Sequence, residues 1–344
     1  MKQRDSNPWL SVILPTFNGA AFVEETLQSI AQQDTSLLRN VEVIVIDDGS
    51  SDATLSILGS YSERFPLTIH ERVHRGNWVA NTNDAMSMAR GKYLCWLHQD
   101  DLWIPGRLVT LWRVLQDHPN ATFLFHPSRF IDRYGTKVGS WRCSVRTFGT
   151  RPRKLKNTDL IAKLLVQCFF GSCATVFDRQ AALRVGLLDE DLWYTADWDF
   201  WLKLAEQGEA IYCPKVLSCV RVHPGSQTQT RTHDTKEMKR QYRAVLDRHL
   251  YDGKLVSCHS TVNKAVVRMA ELSADLNIAL ARYPSGQRGD IWNLAVQFFW
   301  LWPFGWYRFV HDTRILDRVI SRLRAGVFGR SDHNAIAHDW RTPE

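Results

Sequence analysis

The chain has 344 residues, with 43 Lys and Arg against 36 Asp and Glu, a formal net charge of +7 and 44% hydrophobic residues. That composition is ordinary globular chemistry; the length allows one large domain with an appendage, or two domains, and excludes a wholly disordered chain, a collagen and a disulfide miniprotein. The basic excess is small and spread out, unlike the single stripe that supplies phosphate contacts, so nucleic acid is not an expected partner.

The first hundred residues alternate strand and helix patterns. Ser11 to Leu14 is a short apolar run that stops at Pro15, Ala21 to Gln33 has helical spacing, and Val41 to Ile46 is β-branched. The cluster Ser50, Ser51, Asp52 is placed to cap a helix running through Leu55 and Leu58. A strand near Leu67 to Arg72, a helix across Ala80 to Ala89 and a buried strand at Tyr93 to Leu97 complete the series. This β-α-β alternation predicts a doubly wound α/β sheet, with ligands outside the carboxyl ends of the strands. Those ends are acidic: Thr16 and Asn18 follow the first strand, Asp47 and Asp48 the second, Asp100 and Asp101 the last.

Pro105 suits the first turn of a helix reaching about Asp117. Residues 140–157 read as loop, with five basic residues in the eleven from Arg146 to Lys156. Helices are expected at Asp159 to Gln167 and at Ala196 to Glu206, and from Thr232 onward the pattern is helical only. The expected division is therefore 1–231 and 232–344. The seven cysteines form no C-x-x-C pair and no zinc-spaced cluster, which fits a reducing compartment. The polar start MKQRDSNPWL lacks the apolar run of a signal peptide, so the sequence points to the cytosol.

Three acidic segments carry the candidate chemistry, and each has a plainer alternative. In VIVIDDGSSD, Val43 to Asp52, a buried strand ends in two carboxylates that can accept from a ring N–H or a sugar hydroxyl; the alternative is an Asp-Gly turn with a helix cap. In YLCWLHQDDLW, Tyr93 to Trp103, the adjacent Asp100 and Asp101 repel unless a cation such as Mg2+ or Mn2+ relieves them, and the alternative is a polar turn. In LWYTADWDFWLKLAEQG, Leu192 to Gly208, Thr195 can cap a helix and place Asp197 in its first turn. There Asp197 is either a general base held at a fixed angle or a charge stabilising the helix N-terminus.

Five segments occur in the order and approximate spacing of family 2 glycosyltransferases: PTFN at Pro15 to Asn18, DDGSSD at Asp47 to Asp52, HRGNWVANTNDAMSMARGKYL at His74 to Leu94, HQDDLW at His98 to Trp103 and ADWDFWLKLA at Ala196 to Ala205. Over about residues 9–230 the chain resembles that family, which implies a GT-A fold with a mostly parallel mixed sheet and here a C-terminal helical extension. The resemblance implies that Pro15, Thr16, Asn18 and Asp48 contact the base and ribose of a nucleotide-sugar donor, with Asp47 and Asn83 in the same donor-binding set. It places Asp100 at the ribose and metal-bound diphosphate, Asp101, Asp100 and His223 around a divalent Mg2+ or Mn2+ ion, and Asp197 as the base of a single inverting displacement.

The chain departs from the family pattern at His98, where relatives commonly have Asp, at Ala196 for Glu, and at Thr82 for Arg. The Q-x-x-R-W motif of processive synthases is missing, which favours one sugar per encounter. The implied acceptor is a glycan or a polyprenyl-diphosphate-linked glycan. A catalytically idle scaffold or glycan-binding module is the alternative that Ala196 and His98 keep open. A sugar nucleotidyltransferase is the other, without its Gly-rich entry loop.

Nine aromatic residues crowd Trp292 to Phe309, with Pro303-Phe304-Gly305 expected to bend between two helices. Residues 288–330 carry seven Arg and three Asp, a net +4. The charge-free stretch from Ile291 to Tyr307 is shorter than the roughly 20 residues that cross a bilayer. Either this segment meets a membrane surface at the inner face of the cell membrane, or its aromatics pack on the first domain or on a second copy in a homodimer.

Overall fold

Alternating apolar runs create a sheet with two buried faces. β1 (Leu10–Thr16) pairs in parallel with β2 (Val41–Asp47) and β4 (Tyr93–Trp96), and β2 pairs in parallel with β3 (Leu67–Glu71). The connections are α1 (Val23–Ala31) with the short α2 (Thr35–Leu38), then α3 (Thr54–Ser60), then α4 (Trp78–Met88). The computed structural model describes residues 7–141, 150–227, 230, 234–251, 264–282 and 291–315.

β1 does not stop at Pro15 but runs through it to Thr16. Leu97 N donates to Ile13 O, so Pro15, two residues on, turns its missing N–H to the same side, beyond the last β1–β4 pair at Ile13 and Trp96. The ladder loses nothing there.

Four more strands extend the sheet. β6 (Ala121–Phe125), β9 (Arg153–Leu155), β10 (Thr175–Asp178) and β11 (Glu209–Tyr212) give the order β3-β2-β1-β4-β10-β6-β11-β9, with β10 and β9 antiparallel to their neighbours. The mixed sheet is the architecture that the resemblance implies. A second sheet, β5-β12-β7-β8, comprises β5 (Leu102–Trp103), β7 (Ser128–Ile131), β8 (Lys137–Trp141) and β12 (Ser218–Arg221). β9 and the last two residues of β8 fall in the stretch read as loop. Their polar sequences lack apolar alternation, and β9 exists because its backbone pairs with β11 at the sheet edge. The first residues of the basic run, Arg146 included, lie outside the described residues, as do Cys143 and Cys258.

Residues on opposite sides of each strand enter different cores, as the two-residue repeat of a strand requires. Val12, Val43, Val45 and Cys95 face a layer that includes α1 and α5 (Arg107–Asp117). Ile13, Ile44, Ile46 and Trp96 face the other, which includes α4, α6 (Asn157–Val166), α7 (Arg179–Arg184) and α8 (Ala196–Gln207). The second core continues past residue 232. α9 (Thr235–Leu246) contributes Met238, Tyr242 and Val245, α10 (Lys264–Arg282) contributes Val266 and Met269, and Leu301 and Phe309 join from the hairpin of α11 (Ile291–Phe299) and α12 (Trp302–Thr313).

Candidate active site

The turn after β2 is held by its own polar groups. Asp47 is fully buried; its Oδ1 accepts from Ser50 N (2.8 Å), and its Oδ2 accepts from Ser50 Oγ (2.6 Å) and Thr16 Oγ1 (3.0 Å). Asp47 thus ties β1 to β2. Gly49 has φ +77°, and a Cβ there would stand 3.0 Å from His74 N, so the turn needs glycine twice over. Asn18, with φ 44°, accepts Ser51 N at 2.8 Å and donates its own N–H to Ser50 Oγ at 2.8 Å. Only Asp52 of the expected capping cluster serves α3, its Oδ1 accepting from Thr54 N at 3.0 Å while Ala53 occupies the cap position.

Asp48 is 3% exposed and accepts two backbone donors, Arg75 N at 3.0 Å and Gly76 N at 2.9 Å. His74 Nδ1 lies 3.1 Å from its Oδ2. The His74 ring stacks on Phe17 at 4.1 Å and 21°, forming an aromatic wall at the mouth of the β1 and β2 ends. Gln99 then joins this wall to the acidic loop: Phe17 N donates to its Oε1 (2.8 Å) and its Nε2 donates to Phe17 O (3.1 Å).

The acidic loop is completed from the second sheet. β12 runs antiparallel to β5 with Cys219 opposite Leu102, and the same register brings Arg221 to Asp100 and Asp101. Arg221 N donates to Asp101 Oδ1 (3.1 Å), its Nε to Asp100 O (3.0 Å) and its Nη2 to Glu25 Oε2 (2.5 Å). Two residues beyond β12, His223 Nε2 lies 2.9 Å from Asp100 Oδ2. Asp101 does not face the same way. It is 4% exposed, its other partner is His98 Nδ1 at 3.6 Å, and burial raises its pKa against the pull of His98. Among the described residues no group of three His, Cys, Asp or Glu side chains converges on one point.

Asp197 sits in the first turn of α8. Burial pushes its carboxyl up to about 6, while the bond from Trp198 N to Oδ1 (2.7 Å) and the nearby His98 act to lower it. His98 is the hub between the two acidic elements. Burial alone would lower its pKa, and Asp101, Asp100 and Asp197 together overcome that and raise it. Trp78 packs edge-on to His98 at 5.8 Å and donates Nε1 to Trp193 O at 2.8 Å, closing the rim between α4 and the loop before α8.

Thr195 holds the cap position of α8 without a side-chain capping bond. Gln241 of α9, fully buried, instead fixes the chain entering the helix, accepting Tyr194 N (2.8 Å) and Thr195 N (3.3 Å) on Oε1. Asn83 is spent on the same neighbourhood. Its amide donates to Leu188 O and Glu190 Oε1 (both 3.0 Å) and accepts Leu188 N (3.1 Å). The rim thus gathers Pro15 to Asn18, Asp48, Asp100, Asp101, Asp197 and His223. Asp47 and Asn83 spend their side chains on the turns that shape it. Phe17, His74, Gln99, Arg221 and Gln241 were not singled out in sequence. Phe17, His74 and Gln99 lay inside quoted motifs, whereas Arg221 and Gln241 lay outside all of those quoted above.

A family profile described as glycosyl transferase family 2 matches residues 11–183, half of the chain. An uncharacterized glycosyltransferase of Rickettsia prowazekii is 28% identical over 238 residues, 69% of this chain and 71% of that one. Among solved structures, Staphylococcus aureus TarS 1-349 in complex with UDP-GlcNAc superposes with a TM-score of 0.55 at 16% identity, covering 97% of this chain and 98% of that one. A longer TarS chain is matched over 49% of its own length, so this chain spans about half of it. A mannosyltransferase of Pyrobaculum calidifontis in complex with GDP-Man and Mn2+ gives 0.52 at 20% identity, covering 95% and 89%. At these identities the structural likeness shows the GT-A fold, and the profile shows the family: the chain belongs to glycosyl transferase family 2.

Proposed function

We propose that the protein transfers one sugar from a nucleotide-sugar donor to a hydroxyl of a glycan or lipid-linked glycan, with inversion at the anomeric carbon. The observation that carries this reading is a half-buried carboxylate, Asp197, fixed in the first turn of α8 and linked through His98 to a second acidic loop, with burial raising its pKa to about 6. A general base works best when its pKa lies near the working pH. The fold neighbours hold UDP-GlcNAc and GDP-Man, and a donor of that chemistry suits this rim: the aromatic wall of Phe17 and His74 beside Asp48 would take base and ribose, and Asp100 the diphosphate end.

A divalent ion fits in part. Asp100 and His223 converge at 2.9 Å, whereas Asp101 is turned to Arg221 and His98. Mg2+ commonly takes one or two protein ligands and completes its shell with water and substrate phosphates, so this pair suffices for a donor-bridging site. Bound there, the ion would neutralise charge developing on the leaving diphosphate. Asp100→Asn and His223→Ala are each expected to weaken donor binding by at least about tenfold with Mn2+ present and to change it little in chelator. Calorimetric titration with UDP- and GDP-sugars checks this, and equal losses in both conditions would assign the pair a packing role.

Asp197 Oδ1 is occupied by Trp198 N, which leaves Oδ2 for the acceptor hydroxyl. The hydroxyl oxygen bonds to the anomeric carbon as its proton passes to Asp197, and the bond from that carbon to the diphosphate oxygen breaks on the opposite face, its electron pair leaving with the nucleoside diphosphate. Only the ionised carboxylate can accept the proton. Since burial has raised the folded pKa to about 6, transfer is expected to be full above that pH and to fall about tenfold per unit below it. A profile of nucleoside diphosphate release from acid to neutral pH reads this directly, and a flat profile would remove Asp197 from the role.

The deciding experiment incubates the chain with a panel of nucleotide sugars, Mn2+ and glycan acceptors. Acceptor-dependent release of nucleoside diphosphate supports the reading. Pyrophosphate chemistry would instead indicate a nucleotidyltransferase, and no turnover an idle scaffold.

A further inference from the structure

The α11–α12 hairpin has two apolar faces. The inner one is built in: Phe298 and Trp306 stack at 5.8 Å and 12°, Phe298 meets Phe309 at 6.1 Å, and Trp306 Nε1 donates to Phe298 O at 2.6 Å. The outer one faces water, where Trp292 is 83%, Phe299 70%, Trp300 64%, Trp302 70% and Tyr307 62% exposed. Single exposed apolar residues are normal on any protein, but five aromatics on one small hairpin are not.

The tip is also strained. Trp302 has φ 59°, a conformation bulky residues rarely adopt, and Pro303 bars it from the ordinary helical region. The break between the helices falls at Trp300 and Leu301, not at Pro303 to Gly305 as expected, and those three residues lie in the first turn of α12, where a Cβ at Gly305 would come within 2.9 Å of Leu301 Cβ. The hairpin is firmly mounted: Lys163 of α6 donates to Asp312 at 2.6 Å, and Leu164 O of the same helix accepts Trp198 Nε1 at 2.6 Å, next to Asp197.

Charge selects the occupant. Residues 288–330 carry seven Arg, three Asp and neither Glu nor Lys in a chain of net +7. Two copies of this net-positive stretch of sequence would repel each other, whereas an anionic lipid surface attracts it. Trp and Tyr prefer the headgroup layer, and among the described residues no helix is long and apolar enough to cross a membrane, so the element would lie on the bilayer. We propose that the α11–α12 hairpin docks the protein on an anionic phospholipid surface, its outer aromatics seated among the headgroups. This does not depend on the transferase reading.

Flotation of the full chain with phosphatidylcholine vesicles, with and without phosphatidylglycerol, tests it. The expected result is binding to the anionic vesicles that weakens at least about tenfold without phosphatidylglycerol or in high salt. The variant Trp292→Ala/Trp300→Ala should lose at least about tenfold in partitioning at unchanged melting temperature, because it removes two exposed rings. Should that variant melt early, quenching of parent tryptophan fluorescence by brominated lipid replaces it, and no quenching counts against the proposal. No flotation in low salt, or undiminished flotation of the variant, overturns it. So does a dimer that these substitutions dissociate in the absence of vesicle binding, since a second copy would then be the occupant.

Discussion

Asp197→Asn is expected to lower kcat by about 10²–10⁴-fold while leaving the donor dissociation constant within about twofold of the parent. The substitution keeps the shape of the side chain, and the amide oxygen can still accept Trp198 N as Oδ1 does. What it removes is the capacity to hold a proton in the transition state, together with the charge that helps raise the pKa of His98. Stability should hold or rise slightly, because a carboxyl pushed up to about 6 is one that burial penalises when ionised. Steady-state kinetics alongside calorimetric donor titration separate the outcomes. A variant that loses donor affinity in step with turnover would make Asp197 a structural capping charge, the plainer alternative that its place in the first helical turn always allows.

The strands legible in sequence are those whose two faces are both buried. Val41 to Ile46 is a continuous β-branched run because alternate residues serve two different cores, and the same holds around Ile13 and Trp96. β8, β9 and β12 were not legible, since short edge or second-sheet strands are defined by the partner that pairs with them rather than by their own apolar pattern. The acidic rim could be listed from strand ends alone, but not its wiring. That Asp101 turns to Arg221 and Asp100 to His223 follows from the β5–β12 register, which links residues more than a hundred positions apart. Likewise the expected cap, Thr195, makes no side-chain capping bond, and its backbone is held by Gln241 from a helix beyond the expected domain boundary, a choice made by packing and invisible locally. Asp47 illustrates the converse. Its position suggested a ligand contact, and three internal hydrogen bonds commit it to the turn.

Asp199→Ala is expected to destabilise the fold by about 3–5 kcal/mol, the usual cost of stranding buried charge. Asp199 is fully buried two residues from Asp197; Arg248 Nη1 (2.8 Å) and His249 Nε2 (2.9 Å) meet its Oδ1, and Lys203 Nζ (2.9 Å) meets its Oδ2. Arg248 and His249 belong to the π-turn Asp247–Tyr251 that follows α9, so this cluster fastens the C-terminal helices to the base-bearing helix. Burial alone would raise the pKa of Asp199, and His249 and Lys203 overcome it and hold the carboxyl well below the usual range. A depressed folded pKa contributes stability that is complete above the unfolded value near 4 and disappears as pH falls below it. The difference in melting temperature between parent and variant should therefore be largest near neutrality and narrow in acid, which scanning calorimetry across pH can follow. Because the same helices hold Tyr194 and Thr195 through Gln241, the variant should also lose turnover, but together with stability, unlike Asp197→Asn. A variant that melts with the parent at neutral pH would show that the cluster breaks even against its desolvation and that α8 is held by its apolar face alone.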